Sequence, residues 1–182
     1  MENVALFGGS FDPPHIGHIA VVEALLQRNE IDGVIIMPAY LNPFKIKVFA
    51  DASLRIAWLK ETFASYKNVM IETYETEQQR KVPTIESVEY LLTKFKKIYL
   101  VIGADNLAKL EEWYRYDELK KRVTFMVATR EGCHVPQEFL KLDVRCSVSS
   151  TELRETIERQ KLPKICADKI IKHYKEIDAN QN

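Results

Sequence analysis

His15 and His18 are half of the chain's four histidines, and they stand three residues apart. They close the run Gly8-Gly9-Ser10-Phe11-Asp12-Pro13-Pro14-His15-Ile16-Gly17-His18. Two imidazoles at this spacing suit metal ligation, proton transfer, phosphate binding or no chemistry at all. Their surroundings favour an anion. Gly8, Gly9 and Gly17 remove side chains where an apolar run turns into a helical one. A ligand can then approach the backbone closely, and amide N–H groups stay free for it. The N-terminus of the following helix adds partial positive charge. A zinc site would need further ligands, for which only Cys133-His134 offers a cluster, so no metal site is expected. No GxGxxG follows the first apolar run and no GxxxxGK[ST] occurs, which disfavours a dinucleotide fingerprint and a P-loop.

Three other segments carry groups suited to an anion or a ring. Ser149-Ser150-Thr151-Glu152-Leu153-Arg154 offers a capping hydroxyl at a helix start, a second hydroxyl in the first turn and a guanidinium one turn on. By itself this is an ordinary capped helix with a surface arginine. Asn42-Pro43-Phe44-Lys45 places a lysine after the second apolar run. Gly103-Ala104-Asp105-Asn106-Leu107 is followed by Trp113-Tyr114-Arg115, where Trp113 alone would be a half-buried packing residue.

Alternating elements must hold these segments. Apolar runs at residues 4–7, 34–37, 69–71, 98–102 and 123–128 read as strands, with a short sixth at 143–146. Helical spacing fills 16–27, 51–66, 83–95, 104–121, a segment opening near Ser149, and 163–175, while 178–182 looks frayed. Apolar strands alternating with amphipathic helices imply an α/β, doubly wound parallel sheet of about five to six strands. Ligands of such a sheet sit beyond the carboxyl ends of the strands, and all four segments fall there.

The whole chain is compatible with this. Its 182 residues suit one domain, 46% are hydrophobic, and 26 basic residues balance 26 acidic ones. Nothing global steers it to nucleic acid or to a membrane surface. Three widely spaced cysteines read as free thiols, and no run approaches membrane-spanning length or opens as a basic leader. A cytoplasmic protein is expected. An exposed apolar helix face can support a homo-oligomer.

His15-Ile16-Gly17-His18 resembles the HxGH signature of the nucleotidyltransferase superfamily, whose fold is Rossmann-like. Ser149 to Arg154 resembles the SSTxxR companion motif of its small adenylyltransferases, and no KMSKS-like loop points to a synthetase. GxDxL followed by Trp113-Tyr114-Arg115 resembles the nicotinate mononucleotide adenylyltransferases and not the pantetheine-phosphate branch. The resemblance spans residues 4–160. It implies that ATP and nicotinate mononucleotide give nicotinate adenine dinucleotide and pyrophosphate, with Mg²⁺ carried on ATP. It makes His15, His18, Lys45 and Arg154 the catalytic set. Gly8, Gly9, Ser10, Phe11, Gly17, Gly103, Asp105, Ser149, Ser150 and Thr151 would contact ATP. Thr84, Trp113, Tyr114, Arg55 and Arg130 would contact the mononucleotide, the indole stacking on an electron-poor pyridine ring. Asp12 and Asp105 are further candidates to meet the magnesium ion, with the ribose or adenosine side of ATP the favoured partner of Asp105. Arg55 has a plainer alternative as part of a solvated helix face. One position departs from the family: Phe44 stands where a histidine is usual. The competing functions are an adenylyltransferase for nicotinamide mononucleotide or pantetheine phosphate, and a nucleotide-binding module without turnover.

Overall fold

The structure is a computed structural model that describes residues 1–41, 48–129, 134–144 and 148–181. Strands β1 (Asn3–Gly9), β2 (Gly33–Pro38), β3 (Val69–Ile71), β4 (Lys97–Gly103), β5 (Thr124–Thr129) and β6 (Leu140–Asp143) form one sheet in the order β3-β2-β1-β4-β5-β6. Every pairing is parallel. All six residues of β2 are buried, as both-face coverage of a parallel sheet requires. β6 lies a few residues before its expected place; its Leu140-Lys141-Leu142-Asp143 alternates exposed and buried positions, as an edge strand does.

The helices are α1 (Ile16–Leu26), α2 (Ala52–Phe63), α3 (Tyr74–Glu77), α4 (Thr84–Leu92), α5 (Tyr116–Arg122), α6 (Ser150–Glu155) and α7 (Ala167–Gln181). Residues Ala104–Glu112, expected to be α-helical, form a tighter 3₁₀ helix. The Asp51 carboxylate caps α2 by accepting from Leu54 N at 2.8 Å, and Pro83 stands one residue before α4 as its N-cap. α7 starts four residues later than the expected 163 and carries through Gln181, past the point where the composition suggests fraying.

Alternation along the strands divides the core. Ala5, Val34, Ile36 and Tyr99 pack with Val22 and Leu25 of α1 and Leu59 and Phe63 of α2. Leu6, Ile35, Leu100 and Ile102 pack on the other face with Ile85, Val88 and Leu91 of α4 and Leu119 of α5. Trp58, Leu153, Leu162, Ile170 and Tyr174 join α2, α6 and α7 in a third cluster. The chain leaves β1 for β2 on one side and reaches β4 on the other, so the strand order reverses between β1 and β4. A crevice opens at the carboxyl ends of two strands at such a point.

Candidate active site

β1 ends in Gly8-Gly9, and β4 ends at Gly103. Two cavities open there. The larger, about 600 Å³, is lined by Ser10, Phe11, His15, Gly17 and His18 of the first loop, by Gly103 and Asp105, and by Ser149, Ser150 and Thr151. The smaller, about 120 Å³, is lined by Gly8, Gly9, Glu75, Thr84, Asn106 and Trp113, among others.

The two histidines are built into one another. His15 is the N-cap of α1 in extended backbone, and its side chain is buried. Its backbone N–H donates to His18 Nδ1 at 3.1 Å, and the His18 N–H donates back to the His15 carbonyl at 2.9 Å. The rings stack with centroids 3.6 Å apart, and Phe11 packs edge-on against His18 at 4.7 Å. Because Nδ1 of His18 accepts, the proton of its neutral ring sits on Nε2, which can donate to a ligand oxygen. Gly17 is required by this packing: a Cβ there would lie 3.0 Å from His15 ring atoms. The Ser10 hydroxyl, buried in the wall of the cavity, has no hydrogen-bond partner among the described residues. A buried hydroxyl in that state can be satisfied by a polar ligand.

The Ser149–Arg154 segment closes onto the same loop. Ser149 Oγ caps α6, accepting from Glu152 N at 3.1 Å. The Ser150 hydroxyl donates to the Pro13 carbonyl at 3.0 Å. Arg154 donates from Nη1 to the Asp12 carbonyl at 2.6 Å and from Nη2 to Thr151 Oγ1 at 3.1 Å, and it lies over the Phe49 ring. The two sequence motifs, about 130 residues apart, therefore share one rim of the larger cavity.

Two expectations are corrected. Arg55 is neither on a solvated face nor aimed at a ligand. It is fully buried, and its guanidinium donates to the carbonyls of Ala50, Ser10, Ala39 and Tyr40 at 2.8–3.1 Å. It clamps the ends of the first two strand-loop segments together. Asp12 does not offer its carboxylate to a metal. Oδ2 accepts from Phe49 N at 2.9 Å, and Oδ1 accepts from Ala50 N at 3.0 Å and from the Tyr174 hydroxyl. Asp105 stays exposed at the cavity edge.

Trp113 follows the 3₁₀ helix, packs on the α4–α5 core, and faces the smaller cavity with Thr84. Its buried Nε1 has no hydrogen-bond partner among the described residues. Arg115, in left-handed backbone at φ 55°, pairs with Glu89 and Glu118 and so fixes the turn after Trp113. Tyr114 is turned to solvent. Lys45 and Arg130, and with them Phe44 and Cys133, lie outside the described residues.

Residues 6–156 match the family model described as "Cytidylyltransferase-like". The chain belongs to the cytidylyltransferase-like family. The matched span runs from within β1 to just past α6, so it contains both halves of the larger cavity. This cytidylyltransferase-like chain is 57% identical over 176 residues to a "Probable nicotinate-nucleotide adenylyltransferase" of Sulfurimonas denitrificans, which covers 97% of each chain. A protein of the same name from Nitratiruptor is 47% identical over 94% of this chain and 98% of its own. The fold also matches a solved Plasmodium falciparum nicotinic acid mononucleotide adenylyltransferase complexed with NaAD. The TM-score is 0.79 at 17% identity, over 96% of this chain and 98% of that one.

Sequence reasoning did not find Glu75, Ser87 or Tyr174, all of which support the two cavities. Ser87 belongs to the segment that carries Thr84, but its half-buried partner on α3, Glu75, has no marker in the sequence.

Proposed function

We propose that this chain transfers the adenylyl group of ATP to nicotinate mononucleotide, giving nicotinate adenine dinucleotide and pyrophosphate in NAD biosynthesis. The observation that carries the proposal is the pair of cavities at the ends of β1 and β4: a larger one to which two imidazoles and several hydroxyls are brought, and a smaller one walled by an indole. The names of the curated relatives support the same reaction.

The nucleophile is a phosphate oxygen of the mononucleotide. It attacks the α-phosphorus of ATP, the P–O bond to the β-phosphate breaks, and pyrophosphate leaves with the electron pair. A phosphate monoester is largely dianionic near neutral pH, with a second pKa of about 6, so no general base is needed. Catalysis is then positioning and charge stabilisation. His18 donates from Nε2, with His15 stacked behind it, to the α- and β-phosphates. The backbone at Gly8, Gly9 and Gly17 allows the triphosphate to approach the loop. Ser10, Phe11, Gly103, Asp105 and Ser149 complete its walls. Ser150, Thr151 and Arg154 hold the end that leaves. Lys45 supplies charge between the two substrates, and Arg130 a phosphate contact. Trp113 stacks on the pyridine, and the backbones of Thr84 and Tyr114 meet its carboxylate.

Enzymes of this family that act on ATP generally use a divalent metal. Among the described residues no group of three or more His, Cys, Asp or Glu could hold one, and the Asp12 carboxylate is fully engaged. That donor set fits Mg²⁺ carried on triphosphate oxygens and water, where it would neutralise charge on the leaving group. Both substrates are water-soluble, and no helix among the described residues is long and apolar enough to cross a membrane. Cytoplasmic residence is part of the proposal.

The experiment is a panel of acceptors with ATP, read as pyrophosphate release. Nicotinate mononucleotide gives the highest kcat/KM, above nicotinamide mononucleotide and pantetheine phosphate. A preference for either of the others overturns the acceptor assignment.

A further inference from the structure

Glu75 is an acidic group in a cavity where an acidic substrate is proposed to sit. It stands on the four-residue helix α3 and lines the smaller cavity beside Thr84 and Trp113. Ser87, fully buried on α4, donates from Oγ to Glu75 Oε1 at 2.6 Å. No cation among the described residues pairs with it. Charged and titratable groups on and beside α3 have partners of their own. Glu72 pairs with Lys94, Arg80 with Glu86, Glu77 accepts from Thr73, and Tyr74 stacks on Tyr90. The remaining side chains lining the cavity are uncharged.

We propose that Glu75 is a specificity-determining residue that makes the choice between an acid and an amide mononucleotide depend on pH. The inference rests on the assignment of this cavity to the pyridine ring. A neutral Glu75 carboxyl group can donate a hydrogen bond to the pyridine carboxylate, and an ionised one repels it. For a carboxamide the preference weakens or reverses, because its NH₂ can donate to an ionised Glu75. Burial, partly offset by the Ser87 hydrogen bond, pushes the Glu75 carboxyl up to about 7. The switch therefore falls in the neutral range.

The test is the ratio of kcat/KM for nicotinate mononucleotide to that for nicotinamide mononucleotide, measured from about pH 6 to 9. Both acceptors carry the same phosphate and meet the same histidines and ATP, so those titrations cancel in the ratio. The ratio is expected to be level below about pH 7 and to fall about tenfold per pH unit above it. In Glu75→Gln it becomes independent of pH. In Ser87→Ala, which keeps the carboxyl group and removes its stabilising donor, the midpoint moves to higher pH. A flat ratio in the wild type, or a Glu75→Gln profile that follows the wild type, overturns the inference. If Glu75→Gln does not fold, an unmoved midpoint in Ser87→Ala overturns it alone. Turnover of neither mononucleotide would overturn the acceptor site itself, and this role for Glu75 with it.

Discussion

The Tyr174 hydroxyl of α7 donates to Oδ1 of Asp12 in the histidine loop, across 162 positions of sequence. Both side chains are buried. The same carboxylate accepts the backbone N–H groups of Phe49 and Ala50, and the Asp12 carbonyl accepts from Arg154. One residue thus joins the histidine loop, the chain entering α2, α6 and α7. Tyr174→Phe removes a donor from a buried carboxylate and should lower stability by about 1.5–3 kcal/mol. Chemical denaturation checks this, and an unchanged midpoint would mean that the bond contributes nothing. Because Arg154 hangs on Asp12, KM for ATP should rise in this variant more than KM for the mononucleotide.

Arg55→Lys replaces a planar fork that meets four carbonyls with a point charge that meets fewer. Buried carbonyls lose their donors, so a loss of about 2–4 kcal/mol is expected. Loss of stability identifies a clamp. Wild-type stability with a raised KM for the mononucleotide would instead make Arg55 a substrate contact.

His18→Ala removes the Nε2 donor whose tautomer His15 fixes. kcat should fall by about 10²–10³-fold, the scale of one lost oxyanion donor, while the fold persists. Near-wild-type turnover would remove the phosphate role from the loop.

Trp113→Ala separates the two cavities kinetically. KM for the mononucleotide should rise, and KM for ATP should barely move, since Trp113 lines the smaller cavity and not the larger one. Equal effects on both would identify a packing residue.

Glu75 also sets a pH dependence of stability. Its folded pKa, about 7, lies above the ordinary value of 4.5, so the folded state binds this proton more tightly than the unfolded state. Its contribution is complete below about pH 4.5 and is lost as pH rises through about 7. Wild type should therefore lose stability relative to Glu75→Gln across that interval in parallel denaturation curves. A difference constant with pH would contradict it.

Much of this architecture is legible in the residues themselves. Buried parallel strands read as continuous apolar runs, which is why β1, β2 and β4 stand out, and β3 falls at its expected 69–71. The histidine loop and the Ser149–Arg154 segment carry residue types that few structural roles demand together, and the fold brings them into contact. Other features have no local signature. α3 is too short to show a period. Arg55 binds backbone carbonyls, which no side-chain pattern announces, so a buried clamp looks like an amphipathic helix position. Asp12 and Tyr174 become partners only when the last helix folds back on the first loop.

The central claim is adenylyl transfer to the mononucleotide phosphate without a covalent intermediate. The most direct measurement uses ATP labelled at the α-phosphate together with nicotinate mononucleotide, following label and pyrophosphate at once. The account predicts that the label moves into the dinucleotide, one pyrophosphate per dinucleotide formed, with none released when the mononucleotide is left out. Label retained on the protein, label appearing as AMP, or pyrophosphate released without the mononucleotide would contradict it.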